Sequence, residues 1–250
     1  MKKTGQLFML ACLTMLYCGC QTATFSPEVD KIIAKVRKAR DPQNKLASIN
    51  SEVIKGEFRN SVKNKPIQME LSFKKPDMMK IQVIIPGEAA FAKGYDGKQG
   101  WLFSTARGVV KVTGEALDEM RLQTLLLNPM PKLTDIFETI KLKGISEQVG
   151  EKCYKFVCQP KAEFKSQPII FYVSQKTFRI IKREEILDGN KGRKVKVITV
   201  FNDFQPADGV WIARNIVSLR NGHLMEFNVK SVKWNAELND SEFSIPKALK

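Results

Sequence analysis

Histidine is almost missing from this chain: His223 is the only one in 250 residues, and it follows the turn signal Asn221-Gly222. Acid–base or nucleophilic chemistry built on imidazole would have to be assembled at that turn, and nothing in the sequence selects a partner for it. There is no HExxH zinc signature, no phosphate loop and no dinucleotide glycine fingerprint. Cysteine is scarce as well, at five. Cys12 and Cys18 fall in the first twenty residues. Cys153 and Cys158 lie in Lys152-Cys153-Tyr154-Lys155-Phe156-Val157-Cys158, which reads as one strand. Five extended residues cover about 16 Å and place the two thiols on opposite faces, so a disulfide between them would need an intervening turn. No further Cys or His stands at metal-ligand spacing. Acidic residues are outnumbered, 26 against 41 basic. The adjacent pair Glu184-Glu185 points to opposite faces of a strand, the wrong geometry for paired carboxylates. A long hydrophobic run is also lacking. The longest, Leu7 to Leu16, is ten residues, too short for a hydrocarbon core about 30 Å thick. These absences predict a protein that is not an enzyme and carries no cofactor and no metal.

The beginning of the chain is informative. Lys2 and Lys3 precede that short apolar run, and small Gly19 follows it, the composition of a secretory signal. The ending Leu16-Tyr17-Cys18-Gly19-Cys20 resembles a bacterial lipobox, which implies that Cys20 receives a diacylglyceryl group and becomes the mature N-terminus. Tyr17 stands where lipoboxes usually have Leu. An ordinary cleaved signal is the plainer reading. Gln21 after the cysteine implies, by the enterobacterial rule, an outer-membrane anchor facing the periplasm. A multiply acylated Cys, with palmitate-like chains, supplies the two signals that stable anchoring needs. The expected organisation is a lipoprotein signal over 1–19, a lipidated tether over 20–26, one domain over 27–246 and a tail over 247–250.

The whole chain carries +15 at pH 7. That charge attracts anionic surfaces. An exported, membrane-tethered protein meets lipid headgroups rather than nucleic acid, so anionic headgroups are the expected partners, with the chain a monomer.

A mature chain of about 230 residues fits one large β domain. Ser26-Pro27-Glu28 marks a helix start. Val29, Ile32, Ile33 and Val36 form its apolar stripe, and Asp41-Pro42 ends it. The stripe predicts core packing, with direct membrane docking the alternative. Strand-like alternation follows over Ile49 to Phe58, Ile67 to Phe73, Met79 to Ile85, Ala89 to Tyr95 and Trp101 to Phe103. Thr113-Gly114-Glu115 opens a helix bearing Leu117, Met120 and Leu125. A second short helix is predicted from Leu133, Ile136, Phe137 and Ile140 at offsets 0, 3, 4 and 7. Strands resume from Gly144 to Trp234, with Asp96-Gly97, Asp188-Gly189, Asp208-Gly209 and Asn221-Gly222 as turn signals. In the last strand Met225, Phe227 and Val229 share a face while Val232 and Trp234 change phase, which predicts a bulge. Consecutive strands on short turns favour an antiparallel meander.

Tyr95-Asp96-Gly97-Lys98-Gln99-Gly100-Trp101, the helix opening Thr113 to Leu117, Asp208-Gly209-Val210-Trp211-Ile212 and the run Asn235 to Pro246 occur in an order similar to the LolA/LolB-like superfamily of outer-membrane lipoprotein-sorting proteins. The resemblance extends from about Pro27 to Pro246. It implies a mainly β (α+β) fold, a strongly curved antiparallel meander forming an unclosed β-barrel with a helical lid. It also implies an apolar cavity that binds acyl chains of lipids or lipoproteins, for lipoprotein sorting or lipid transfer. The expected cavity residues are Met69, Leu71, Phe73, Ile81, Val83, Trp101, Phe103, Leu117, Met120, Leu125, Ile136, Phe137, Phe171 and Phe227. For each of them plain core packing is the competing reading. A lipidated N-terminus resembles LolB rather than soluble LolA. Ile84 to Phe91 would then be either a membrane-inserting protrusion or an ordinary hairpin connection. The alternative function is a structural or sensing envelope lipoprotein acting through protein–protein contacts. A third, an envelope hydrolase, would need a polar cleft at Glu184 or His223.

Overall fold

A computed structural model describes residues 25–61, 66–84, 91–129, 131–188 and 193–246. The signal, Cys20, the centre of the Ile84–Phe91 segment, Gly189 and the tail after residue 246 lie outside the described residues.

Thirteen strands form one antiparallel sheet. They are β1 (Ser51–Asn60), β2 (Ile67–Lys74), β3 (Met78–Ile84), β4 (Phe91–Asp96), β5 (Gly100–Ser104), β6 (Gly108–Val112), β7 (Phe137–Gln148), β8 (Glu151–Pro160), β9 (Ile169–Ser174), β10 (Ile180–Asp188), β11 (Lys194–Ala207), β12 (Val210–Arg220) and β13 (His223–Trp234). Each pairs with its sequence neighbours, except that β1 also pairs with β13 while β6 and β7 are left as edges. The sheet is therefore an unclosed barrel. Two helices, α2 (Glu115–Leu127) and the single turn α3 (Leu133–Ile136), lie in the chain between the two edge strands. The connection from one edge to the other thus supplies the lid.

The first helix, α1 (Pro27–Arg40), begins as its sequence directs: the Ser26 hydroxyl accepts the Val29 N–H at 3.4 Å, and Pro27 occupies the first turn. Val29 and Ile32 are buried, while Ile33 and Val36 are half-buried. The hairpin signals also hold. Asp208-Gly209 and Asn221-Gly222 have positive φ at both residues, as the tight turns of twisted strands require. The Asp96 carboxylate accepts the N–H groups of Lys98 and Gln99 at 2.9 and 2.7 Å.

The expected bulge in β13 is present. Lys55 pairs with Ser231 but Gly56 pairs with Val229, so Lys230 is the extra residue. The phase change therefore brings Val232, opposite Ile54, onto the face already occupied by Phe227 and Val229. Gly56 is needed here: a Cβ would lie 2.7 Å from the Phe227 ring and 2.3 Å from the Asn228 carbonyl oxygen.

Two expectations are corrected. The helical pattern over Leu133 to Ile140 gives only one turn of helix, and the chain is extended from Phe137. The apolar spacing is satisfied differently. A register shift between Phe137 and Thr139 lets Phe137 and Ile140 share a face without helical winding. In addition, β6 follows Ser104 where the meander was expected to break; it adds to β5 from Ser104↔Gly108 to Gly100↔Val112.

The buried apolar clusters lie largely on the sheet face that carries the helices. The largest joins Val29 and Ile32 of α1, Leu122 of α2, Ile136 and Phe137, and the β7–β9 residues Ile140, Phe156, Cys158, Ile169 and Val173. A second places Met120 of α2 on Met79, Tyr95 and Val112. The outer face of β4 and β5 is covered by the C-terminal segment. Trp101 is 1% exposed, and its indole Nε1 donates to the Phe243 carbonyl at 2.7 Å.

Candidate functional site

Between α1, the link that follows α2, and strands β7–β10 lies a cavity of about 640 Å³. That is within the size of small-molecule sites. Its sheet wall is made by inward-facing residues of four strands: Phe137 and Ile140 of β7, Phe156 and Cys158 of β8, Phe171 and Val173 of β9, and Ile180 of β10. The register explains the wall. Ile140 stands opposite Cys158 and Leu142 opposite Phe156. Cys158 stands opposite Ile169 and Phe156 opposite Phe171. The roof is Ile33 and Val36 of α1 with Leu126, Pro129, Pro131 and Leu133. The prolines keep this link from continuing α2, so the link arches across the wall rather than packing into it. Burial pushes the Cys158 thiol up to about 12; a protonated thiol is an apolar wall atom and a poor nucleophile.

Polar groups gather at the end of α1. Arg37, Lys38, Arg40 and Asp41 border the cavity. The Arg40 Nη1 donates to the Pro129 carbonyl at 3.0 Å, tying α1 to the link. Asp41 accepts the backbone N–H groups of Lys45 and Leu46 at 2.9 and 2.7 Å. Glu52 of β1 is 3% exposed. Burial raises its carboxyl to about 7, with Arg40 opposing the rise.

The far side of α2 meets a different lining. Lys93, Arg183 and Glu185 share the helix-bearing face. The Arg183 Nη2 lies 2.9 Å from Glu185, whose other oxygen accepts Gln123 of α2 at 3.2 Å. Burial lowers the Lys93 ammonium, partly offset by Glu119. Inside its basic α1 rim the cavity is thus bounded largely by carbon, and a second set of ionic groups lies across α2.

The residues expected in the cavity separate into five groups. Phe137 and Phe171 line it. Leu125 and Ile136 belong to the packed cluster around it. Ile81, Leu117 and Met120 belong to the second cluster, under the other half of α2. Leu71 and Phe73 are buried on the same face of β2, at 8% and 0% exposure. Met69, Val83 and Phe227 are half-buried on that face, outside the cavity wall. Trp101 and Phe103 lie on the opposite face, since Trp101 pairs with Gly94 and Phe103 with Ala92, out of phase with Tyr95↔Gly100. Sequence reasoning missed Ile33, Val36, Phe156, Val173 and Ile180. The α1 stripe was the available signal, and its half-buried members Ile33 and Val36 are the ones that reach the cavity.

Elsewhere, Glu184 and Glu185 do face opposite ways. Glu184 forms ion pairs with Lys182 and Lys196 at 2.7 and 2.9 Å, away from Glu185. His223 is exposed beside its turn. Among the described residues no group of three or more His, Cys, Asp or Glu is placed to hold a metal ion, and no helix is long and apolar enough to cross a membrane.

The sequence matches no family model and no curated protein. The fold has clear counterparts. A LolA superfamily protein from Nitrosomonas europaea superposes with a TM-score of 0.58 at 16% identity, over 86% of this chain and 96% of that one. A structure assigned as an outer membrane lipoprotein-sorting protein domain, from Vibrio parahaemolyticus, gives 0.58 at 16% identity, over 84% and 94%. A DUF1329 family protein from Desulfovibrio piger gives 0.57 at 16%, over 85% and 97%. The fold is that of the LolA-like proteins, the architecture to which the sequence motifs pointed.

Proposed function

We propose that this protein holds acyl chains of lipids or lipoproteins in the cavity under α1 and the α2–α3 link, and that it works in lipoprotein sorting or lipid transfer. The observation that carries the reading is the vacant space itself, about 640 Å³ walled by carbon. Interiors are normally packed to crystal-like density. An unfilled volume of this size forgoes dispersion contacts that a guest restores. A hydrocarbon tail entering it gains about 0.8 kcal/mol for each buried CH2. A structural or sensing role does not require such a space.

In this reading Cys20 carries the lipid anchor, the domain over 27–246 faces the periplasm from the outer membrane, and the protein acts as a monomer without nucleic acid. The LolA-like fold of the solved counterparts supports an envelope role. The test is native mass spectrometry of the purified protein followed by lipid extraction. Co-purifying acyl lipid, displaced by added fatty acid, is expected. A protein that is consistently empty, and that takes up no acyl chain when offered one, overturns the reading.

A further inference from the structure

The cavity is not uniform from wall to mouth. Its wall is Phe137, Phe156, Phe171 and one protonated thiol, whereas its α1 rim is Arg37, Lys38 and Arg40. Arg37 and Lys38 are exposed at the mouth, and Arg40 is half-buried behind them. The one carboxylate on that rim, Asp41, is buried and turned inward onto the N–H groups of Lys45 and Leu46. Lys38 and Arg40 each have one carbonyl partner, Pro42 and Pro129. Pro42 brings Lys38 no carboxylate, whereas Arg40 lies in the field of both Glu52 and Asp41, so the charges open to a ligand at the mouth are those of Arg37 and Lys38. Basic residues in a last helical turn complement the helix dipole. That accounts for their presence on α1 but not for their convergence on the lip of an apolar hole.

A hydrocarbon-lined cavity with a cationic lip is complementary to one kind of molecule: a tail that avoids water joined to a head that carries negative charge. The head stays at the exposed mouth, where its desolvation cost is small. A guanidinium there matches a phosphate or carboxylate in geometry as well as charge.

We propose that the cavity's occupant is an anionic amphiphile whose acyl tail lies on Phe137, Phe156 and Phe171 and whose phosphate or carboxylate head is held by Arg37 and Lys38 at the mouth, with Arg40 behind them. This rests on the cavity being an acyl-chain site, and it adds the class of headgroup. Phospholipid and free acid share the chemistry, and so does inorganic phosphate without the tail.

The experiment uses the full chain in maltoside micelles, offered an equimolar mixture of lysophosphatidylglycerol and a neutral monoacylglycerol with the same tail, and read by native mass spectrometry. The anionic adduct is expected to exceed the neutral one about fivefold, the scale of one or two exposed charge contacts. Arg37→Gln with Lys38→Gln, both at exposed positions, should remove the bias and bring the two adducts level. Arg37→Lys should keep most of it. Equal adducts on the wild-type protein overturn the headgroup assignment and leave the acyl site standing. Absence of both adducts overturns the acyl site and the assignment with it. A palmitate arm in place of the lysolipid separates free acid from phospholipid: palmitate favoured over a neutral monoacylglycerol of the same tail extends the assignment to carboxylate heads. Inorganic phosphate that binds the tail-free protein and is lost in the Arg37/Lys38 variant marks a simple anion site, and the assignment falls.

Discussion

The Arg40 guanidinium donates to the Pro129 carbonyl at 3.0 Å and so joins the last turn of α1 to the link after α2 across the cavity roof. The two segments are otherwise separate in the chain. Arg40→Ala should leave Pro129 unpartnered and loosen the roof. The expected stability loss is about 1–3 kcal/mol, the scale of a buried polar group losing its partner. Cys158 reports the opening, since it lies on the cavity wall beneath. In a Cys153→Ser background its reaction with a thiol reagent at pH 8 should be slow in the parent and at least several-fold faster in Arg40→Ala. Equal rates would mean that this bond does not hold the roof.

Filling the space from the wall should separate binding from folding. Cys158→Phe projects a ring from β8 into the cavity. Enlarging a packed core residue ordinarily costs about 1–3 kcal/mol, but here the added ring has room. Acyl-chain uptake is expected to fall at least tenfold, a difference of about 1.4 kcal/mol, while the urea midpoint stays within error or rises. A large drop in midpoint with binding intact would place the vacant volume elsewhere.

Gly94 gives a sharp stability test on the outer face. A Cβ there would lie 2.5 Å from the Trp101 ring, and that ring is pinned by its bond to Phe243. Gly94→Ala should therefore cost about 2 kcal/mol or more, because the indole cannot move aside without losing that bond. Pairing it with Trp101→Phe should relieve part of the clash. Additive losses in urea unfolding would show that the two sites do not interact. Either way acyl binding should change little, since Trp101 lies across the sheet from the cavity.

Much of this architecture was legible because local signals agreed with one another. Ser26-Pro27 started α1, Asp208-Gly209 and Asn221-Gly222 closed hairpins, and the phase change after Val229 marked a bulge. The site was less legible because it depends on register. Trp101, Leu102 and Phe103 are all large and apolar, so the sequence does not say which of them faces the helices; pairing with β4 puts Leu102 there and sends the other two outward. Leu133 to Ile140 has helical spacing, yet one bulge gives an extended strand the same inward pattern. The α1 stripe was visible, but whether its partners press against it or stand back depends on the two prolines that arch the opposite link.

Glu52 makes stability depend on pH in a direction opposite to that of most carboxylates. Burial lifts its carboxyl to about 7, even with Arg40 opposing, whereas an unfolded glutamate titrates near 4.3. Between those values the folded chain holds a proton that the unfolded chain has released, so stability is full below the lower value and falls as pH rises through the upper one. Above pH 7 the loss attributable to this group is about 4 kcal/mol. Glu52→Gln imitates the protonated form and removes that slope. Urea midpoints should coincide for the two proteins near pH 4 and separate progressively to pH 8, with the variant the more stable. Arg40→Ala should extend the separation to higher pH, because the guanidinium that favours the ionised carboxylate is gone. Parallel curves from pH 4 to 8 would show that the Glu52 carboxyl titrates in the folded protein near its unfolded value.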